Sequence, residues 1–542
     1  MLPAPSPDLV VAAAAASTAA DVVGACARHL AAGGPKALDD HQVVAYDLAH
    51  AAAAVEVSRS AVDYGAGGDT EARIACAFVA DSVSDLAARV LGRAAGWGLG
   101  DGRRGDPDRP GAWSLGAAVA DMAPYRDPAW LAALADKPGP RHLDSDFELV
   151  AETFHRFADE RIAPVAERIH RQNADIPEDI IAGLGDIGAF GLSIPEAYGG
   201  FATGGERDFL GMVVATEELS RASLGAGGSL ITRPEILARA LVRGGTEEQK
   251  RHWLPRLASG EVMVAVAVTE PDYGSDVAAI TLAAIPDGED WVLRGTKTWS
   301  TFAARADVLM VLARTDADRA RAHRGLSMFV VAKERGDGHG FVLHQAGGGR
   351  LEGRPIDTIG YRGMHSYELA FDAWRVPGAN LVGGEKGVGR GFYYQMEGFG
   401  NGRLQTAARA VGVMQAAYEA AVAYAGERVV FGRPVGDYQL TRAKLARMAG
   451  AVQAARQYMY KVARLMAKGD GALEASMVKA YACRAAEWVT REAMQIHGGM
   501  GYAEEYPVSR YFVDARVLSI FEGADETLAL KVIARRLVEQ AV

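Results

Sequence analysis

From Asp144 onward the hydrophobic positions follow a helical period. Phe154, Phe157, Ile162, Val165 and Ile169 recur at mostly three- to five-residue steps, close to one face of a helix. The segment ADIPEDIIAGLGDIGAFGLSIPEAYGG reads as a short helix and then a loop closed by Tyr198-Gly199-Gly200. Further helices are expected over residues 209–221 and 234–243. Near Val262 the pattern changes. VMVAVAV, DWVLRGTKTWS, ADVLMVLAR, GLSMFVVAKE and YELAFDAWRVP are short runs rich in Val, Leu and aromatics, separated by Gly, Asp or Pro, as strands are. After Gly387 long helical patterns return, over residues 398–428, 439–468, 474–495 and 525–540.

The first 140 residues or so are different. Alanine dominates and is interrupted by turn-rich stretches such as AAGGPKALDD and the segment 98–113. Alanine is the best helix former, and Gly/Pro/Asp clusters break helices. The expected fold is therefore multidomain α+β. An extra all-α domain (1–140) precedes a helical domain (144–261), a β domain (262–385) and a C-terminal α domain (386–542), with a linker near 136–144. A chain of 542 residues needs several cores in any case.

Charge and cysteine content narrow the function. A formal net charge of −10 and no clustered basic run argue against nucleic acid as the partner. Cys26, Cys76 and Cys483 show neither disulfide nor zinc spacing and read as small buried residues, so no metal is expected. The N-terminus lacks a basic n-region, and the apolar run from Leu9 to Ala16 is shorter than the roughly 20 residues that span a bilayer. The expected location is cytoplasmic.

Four segments carry candidate chemistry. VAVTEPDYGSD (266–276) leaves a strand for a Thr/Pro/Gly/Ser loop, which is either a decorated turn or a set of donors for a flat polar ring. In KTWSTFA (297–303), Trp299 is either a core residue or a stacking face, with Ser300 and Thr301 beside it. QIHGGMGY (495–502) lets backbone approach a ligand closely, but it is neither a P-loop nor a Rossmann turn. In SIFEGADETLALKVIARRL, Glu522 lies between Ile520-Phe521 and Gly523. That setting partly removes the carboxylate from water, although a loop Glu is usually just solvated.

Taken together with GERVVFG (426–432), these segments resemble, in order and spacing, the signature segments of the acyl-CoA dehydrogenase family over residues 144–540. That family places FAD among a helical, a β and a four-helix domain, and the α, β, α order agrees. The resemblance implies an FAD enzyme acting on acyl-CoA. It implies flavin contacts from Val268, Thr269, Gly274, Ser275, Trp299, Ser300 and Thr301. Arg428, Phe431, Gln439, Gln495, Gly498 and Gly499 would serve the diphosphate and adenine end, often across a subunit interface. Ser275, Phe399, Arg403 and Gly523 would meet the CoA thioester. Glu522 falls on the base that removes the α-proton while the β-hydride leaves for the flavin. The branch that keeps its base elsewhere has a Glu where this chain has Gly402. One departure concerns the positions after the base, where the family's Thr-x-Gln is replaced by Ala524 and Glu526.

The long N-terminal extension and the segment SLGAGGSLITRPEIL resemble the branch that oxidises (2S)-methylsuccinyl-CoA to mesaconyl-CoA in the ethylmalonyl-CoA pathway. Its electrons pass to an electron-transfer flavoprotein. Thr232 matches the pocket floor of straight-chain enzymes. Arg233 beside it either binds a substrate carboxylate through its planar fork or only caps a helix. Glutaryl-type enzymes place their carboxylate Arg where this chain has Gly227. The alternatives are another short- or branched-chain dehydrogenase, or an acyl-CoA oxidase using O₂. A homo-oligomer is expected, a dimer ahead of a tetramer.

Overall fold

The computed structural model describes residues 6–99, 112–336 and 339–542. Most of the expected turn-rich stretch at 98–113 (residues 100–111) lies outside them. The chain divides into two compact units, Met1–Asp146 with Thr406–Val542, and Phe147–Gln405. The division falls within one long helix, Gly391–Glu427.

In the first unit, helices Leu9–Ala32, Gln42–Gly65 and Asp69–Val90 pack together. Asp8 caps the first of these, accepting from the backbone N–H of Val10 and Val11. That helix is long and apolar enough to cross a membrane by length and composition. The expected run ended at Ala16, but alanine carries it to Ala32, and its buried stripe of Ala12, Ala16, Ala19, Val23 and Leu30 faces neighbouring helices. Helix Gln42–Gly65 packs on helices Gln439–Ala467 and Ala472–His497 and on the turn Leu528–Ala534. Residues 137–144 have no regular structure, but they are tied down. The Tyr64 hydroxyl donates to the Pro140 carbonyl (3.1 Å), and Gln457 Nε2 donates to that of Arg141 (2.9 Å). The three cysteines are free and buried, and burial pushes the Cys26 thiol up to about 12.

The second unit holds helices and a sheet. Helices Ser145–Phe157 and Ala163–Gln172 are joined by a π-helical turn, Ala158–Ile162. The wider turn explains the five-residue step from Phe157 to Ile162, since it brings Ile162 back to the buried face with Phe154 and Ile169. The sheet contains β1 (Val264–Ala267), β2 (Ala283–Asp287), β3 (Asp290–Thr301), β4 (Val308–Arg314), β5 (Leu326–Ala332), β6 (Phe341–His344), β7 (Arg350–Ile356) and β8 (Ser366–Val376). Their order is β1-β4-β2-β3-β8-β7-β6, with β5 on β4. β1 and β2 run parallel to β4, and the other pairs are antiparallel. A register shift in β3 between Lys297 and Ser300 turns Trp299 out of the ladder.

Candidate functional site

The candidate residues form two sets, one within each unit. In the second unit, the loop after β1 is held against the end of β3. The Thr298 N–H donates to the Thr269 carbonyl (2.8 Å). Beneath that contact lies a buried ion pair that the sequence motifs did not single out. Lys297 Nζ sits 2.8 Å from Glu270 Oε1, with side chains 0% and 4% exposed. Lys297 also donates to the Val268 carbonyl (2.9 Å), and Glu270 accepts from the Thr281 N–H, the Thr281 hydroxyl and the Leu282 N–H. Burial pulls the Lys297 ammonium down to about 8 against the pull of Glu270. Burial would raise the Glu270 carboxyl, but Lys297 and the two backbone donors hold it below the usual range. The available signal was one acid and one base, one in each of two candidate segments.

Trp299 has φ of 56° and is half exposed. Gly274 and Ser275 are exposed, Val268 is buried, and Thr269 and Thr301 are partly buried. Thr301 Oγ1 shares a hydrogen bond with Ser366 Oγ (3.2 Å). Ser300 differs from its neighbours, since its hydroxyl is fully enclosed and its side chain does not share the open face of Trp299. The bulge sends Trp299 outward and returns Ser300 to the interior. The remaining residues suit a flavin on structural grounds, because an open indole stands beside a loop rich in hydroxyl and backbone N–H donors.

The glycine-rich segment before Thr232 forms a π-helical turn, Leu224–Ser229. A Cβ at Gly227 would lie 2.6 Å from the Leu219 carbonyl, so no arginine fits there. Thr232 and Arg233 open the helix Thr232–Gly244, and both are buried. Thr232 Oγ1 (2.9 Å) and Arg233 Nε (3.2 Å) donate to the same Ser229 carbonyl. Arg233 is 5% exposed, and among the described residues it has no carboxylate partner. Phe399 and Arg403 lie on the long helix, each partly buried.

In the first unit, Glu522 is partly buried, as its apolar flanks implied, and it holds φ of 53° next to Gly523 at 97°. Lys479, 1% exposed, donates to the Gly523 carbonyl at 2.6 Å. The Arg409 guanidinium lies 5.5 Å over the Phe521 ring. GERVVFG forms a hairpin, Val429–Val430 with Arg433–Pro434, whose turn residues Phe431 (φ 47°) and Gly432 (φ 83°) are both left-handed. Phe431 is 98% exposed at its tip, and Arg428 and Gln439 are also exposed. Gln495, Gly498 and Gly499 lie exposed at the end of helix Ala472–His497, where Gly498 (φ 59°) stops the helix. A Cβ at Gly498 or Gly499 would meet nothing within 4 Å, which leaves open backbone for a ligand.

Comparison with known proteins covers both sets. Family models match the acyl-CoA dehydrogenase N-terminal domain over residues 144–261, its middle domain over 265–374 and its C-terminal domain over 389–538. A (2S)-methylsuccinyl-CoA dehydrogenase of Cereibacter sphaeroides is 45% identical over 403 residues, 74% of this chain and 71% of that protein. Among solved structures, a glutaryl-coenzyme A dehydrogenase in complex with glutaryl-CoA superposes with a TM-score of 0.67 at 31% identity. It covers 73% of this chain and 96% of that one. A glutaryl-CoA dehydrogenase of Mycobacterium smegmatis in complex with FADH2 gives a TM-score of 0.65 at 26% identity, over 76% of this chain and 99% of that one.

Proposed function

Because this chain belongs to the acyl-CoA dehydrogenase family and is an FAD-dependent oxidoreductase, we propose that it oxidises a short branched dicarboxylic acyl-CoA, (2S)-methylsuccinyl-CoA, to mesaconyl-CoA. Arg233 carries the substrate reading. An isolated buried charge costs several kcal/mol unless it is paired. This guanidinium is buried with no carboxylate partner among the described residues. A free carboxylate on the substrate supplies the missing charge, and the planar fork binds both of its oxygens. The similarity to a (2S)-methylsuccinyl-CoA dehydrogenase supports the same choice.

Glu522 is the proton acceptor. A thioester α-C–H is a weak acid, so its removal needs a positioned base and donors for the charge growing on the carbonyl oxygen. The Glu522 backbone N–H is one such donor. FAD supplies the two-electron acceptor for the β-hydride. Trp299, Thr269 and Ser275 would hold the ring of a flavin, and Arg428, Phe431, Gln439, Gln495, Gly498 and Gly499 would hold the nucleotide end of an FAD, whether of the same chain or of a second copy. Electrons then pass to an electron-transfer flavoprotein.

Arg233→Met tests the substrate. Removing one partner of a buried pair costs about 3–5 kcal/mol, so kcat/KM for (2S)-methylsuccinyl-CoA should fall by roughly two to four orders of magnitude. With uncharged 2-methylbutyryl-CoA the loss should be much smaller. Equal losses on both substrates would make Arg233 structural, and little loss on either would remove the carboxylate from this residue.

A further inference from the structure

Glu522 occupies a left-handed backbone conformation, which only an over-determined loop maintains in a residue other than glycine. Part of that restraint is local, since the Asp525 N–H donates to the Ser519 carbonyl (3.1 Å) and Lys479 grips the Gly523 carbonyl. The rest comes from the far end of the chain. The Tyr46 hydroxyl, on helix Gln42–Gly65, donates to Asp525 Oδ2 at 2.5 Å. One turn further, His50 Nε2 lies 3.2 Å from the same oxygen. The two rings meet edge to face with centroids 4.5 Å apart, and Arg484 Nη1 donates to the Tyr46 oxygen (3.2 Å). Asp525 is three residues from Glu522 and lies between Ala524 and Glu526, the two positions at which this chain departs from the family's Thr-x-Gln. The matched family domains begin at residue 144, so Tyr46 and His50 lie outside them.

We propose that Tyr46 and His50 are positioning residues for the proton acceptor. By holding Asp525, the N-terminal helices fix the turn 519–525 and aim Glu522. The proposal rests on the reading of Glu522 as the base. The charge states agree with the geometry. Burial and Asp525 push the Tyr46 phenol up to about 12, so it keeps its proton. Burial works to raise Asp525, but His50, Tyr46 and Arg484 hold it below the ordinary range, so it stays an anion. Burial lowers the His50 imidazole.

The test uses the FAD-loaded full chain, with Tyr46→Phe as an isosteric variant and His50→Gln as a second. With (2S)-methylsuccinyl-CoA under anaerobic conditions, each should slow flavin reduction roughly tenfold or more, since small misplacements of a reacting group are costly. KM and FAD content should hold, and the α-deuterium isotope effect should rise. Amide hydrogen exchange in 519–527 should quicken while the sheet stays protected. In a Glu522→Gln background, Tyr46→Phe should cost nothing further, because the group it positions is gone. Equal losses with and without Glu522 would overturn the proposal, as would unchanged exchange in 519–527. Full flavin reduction by Glu522→Gln alone would instead overturn the reading of the base, and the exchange data would still report whether the clamp exists.

Discussion

A residue other than glycine with φ near +50° costs about 1–2 kcal/mol relative to an ordinary conformation. Trp299, Phe431 and Glu522 all adopt it, and each lies in a different candidate segment. The strain has a physical use at each place. It lifts an indole out of a strand, turns a phenyl ring outward at a hairpin tip, and points a carboxylate from a loop. Gly227 shows the opposite case, in which a residue matching a family substrate position serves packing. Its missing Cβ makes room for the Leu219 carbonyl and for Ile162. Gly227→Ala should therefore cost about 1–3 kcal/mol of stability, as overpacking does, measured by urea denaturation. A neutral or stabilising result would show that the turn has slack.

At the scale of elements, the buried pair Glu270–Lys297 joins the loop after β1 to the end of β3. Lys297→Met should cost about 3–5 kcal/mol, because it leaves the Glu270 carboxylate buried and uncompensated. The double variant Lys297→Met/Glu270→Gln should recover much of that, and a double variant as unstable as the single one would contradict the pairing. The sign of the pH dependence follows. Glu270 titrates lower when folded, so its contribution is full above its unfolded value of about 4.3 and is lost as pH falls through the folded value. The two motif segments in the sheet were legible because each combines a strand end with Gly, Pro or hydroxyl residues. The pair was not, since nothing in a one-dimensional pattern shows that Glu270 and Lys297 face each other. β2, with Pro286, and β7, with Gly353 and Pro355, lack the apolar runs of buried strands and were not anticipated. Helix Glu247–Ala258 is densely charged and contains Pro255. Its remaining signal was the Thr246/Gln249 capping box.

At the scale of the whole molecule, the first unit unites residues 1–146 with the C-terminal helices. Composition marked the N-terminal segment as helical, but its tie to Asp525 spans 479 positions and has no sequence signature. The same unit exposes Phe431, Val429, Leu440, Tyr502 and Ile520. Val429 and Phe431, exposed together on the hairpin, suit an interface with a second copy of the chain. Wild type should scatter light as a dimer, at twice the 57.3 kDa of one chain. Phe431→Asp should weaken association by about 2 kcal/mol or more, roughly 30-fold, and lower FAD retention. A monomer mass for wild type would reject the interface. Proton removal by Glu522 is read out by anaerobic flavin reduction with (2S)-methylsuccinyl-CoA. Wild type should bleach its flavin band. Glu522→Gln, with the same FAD content, should do so roughly 10²–10⁴ times more slowly. Equal rates in the two proteins would show that the base lies elsewhere.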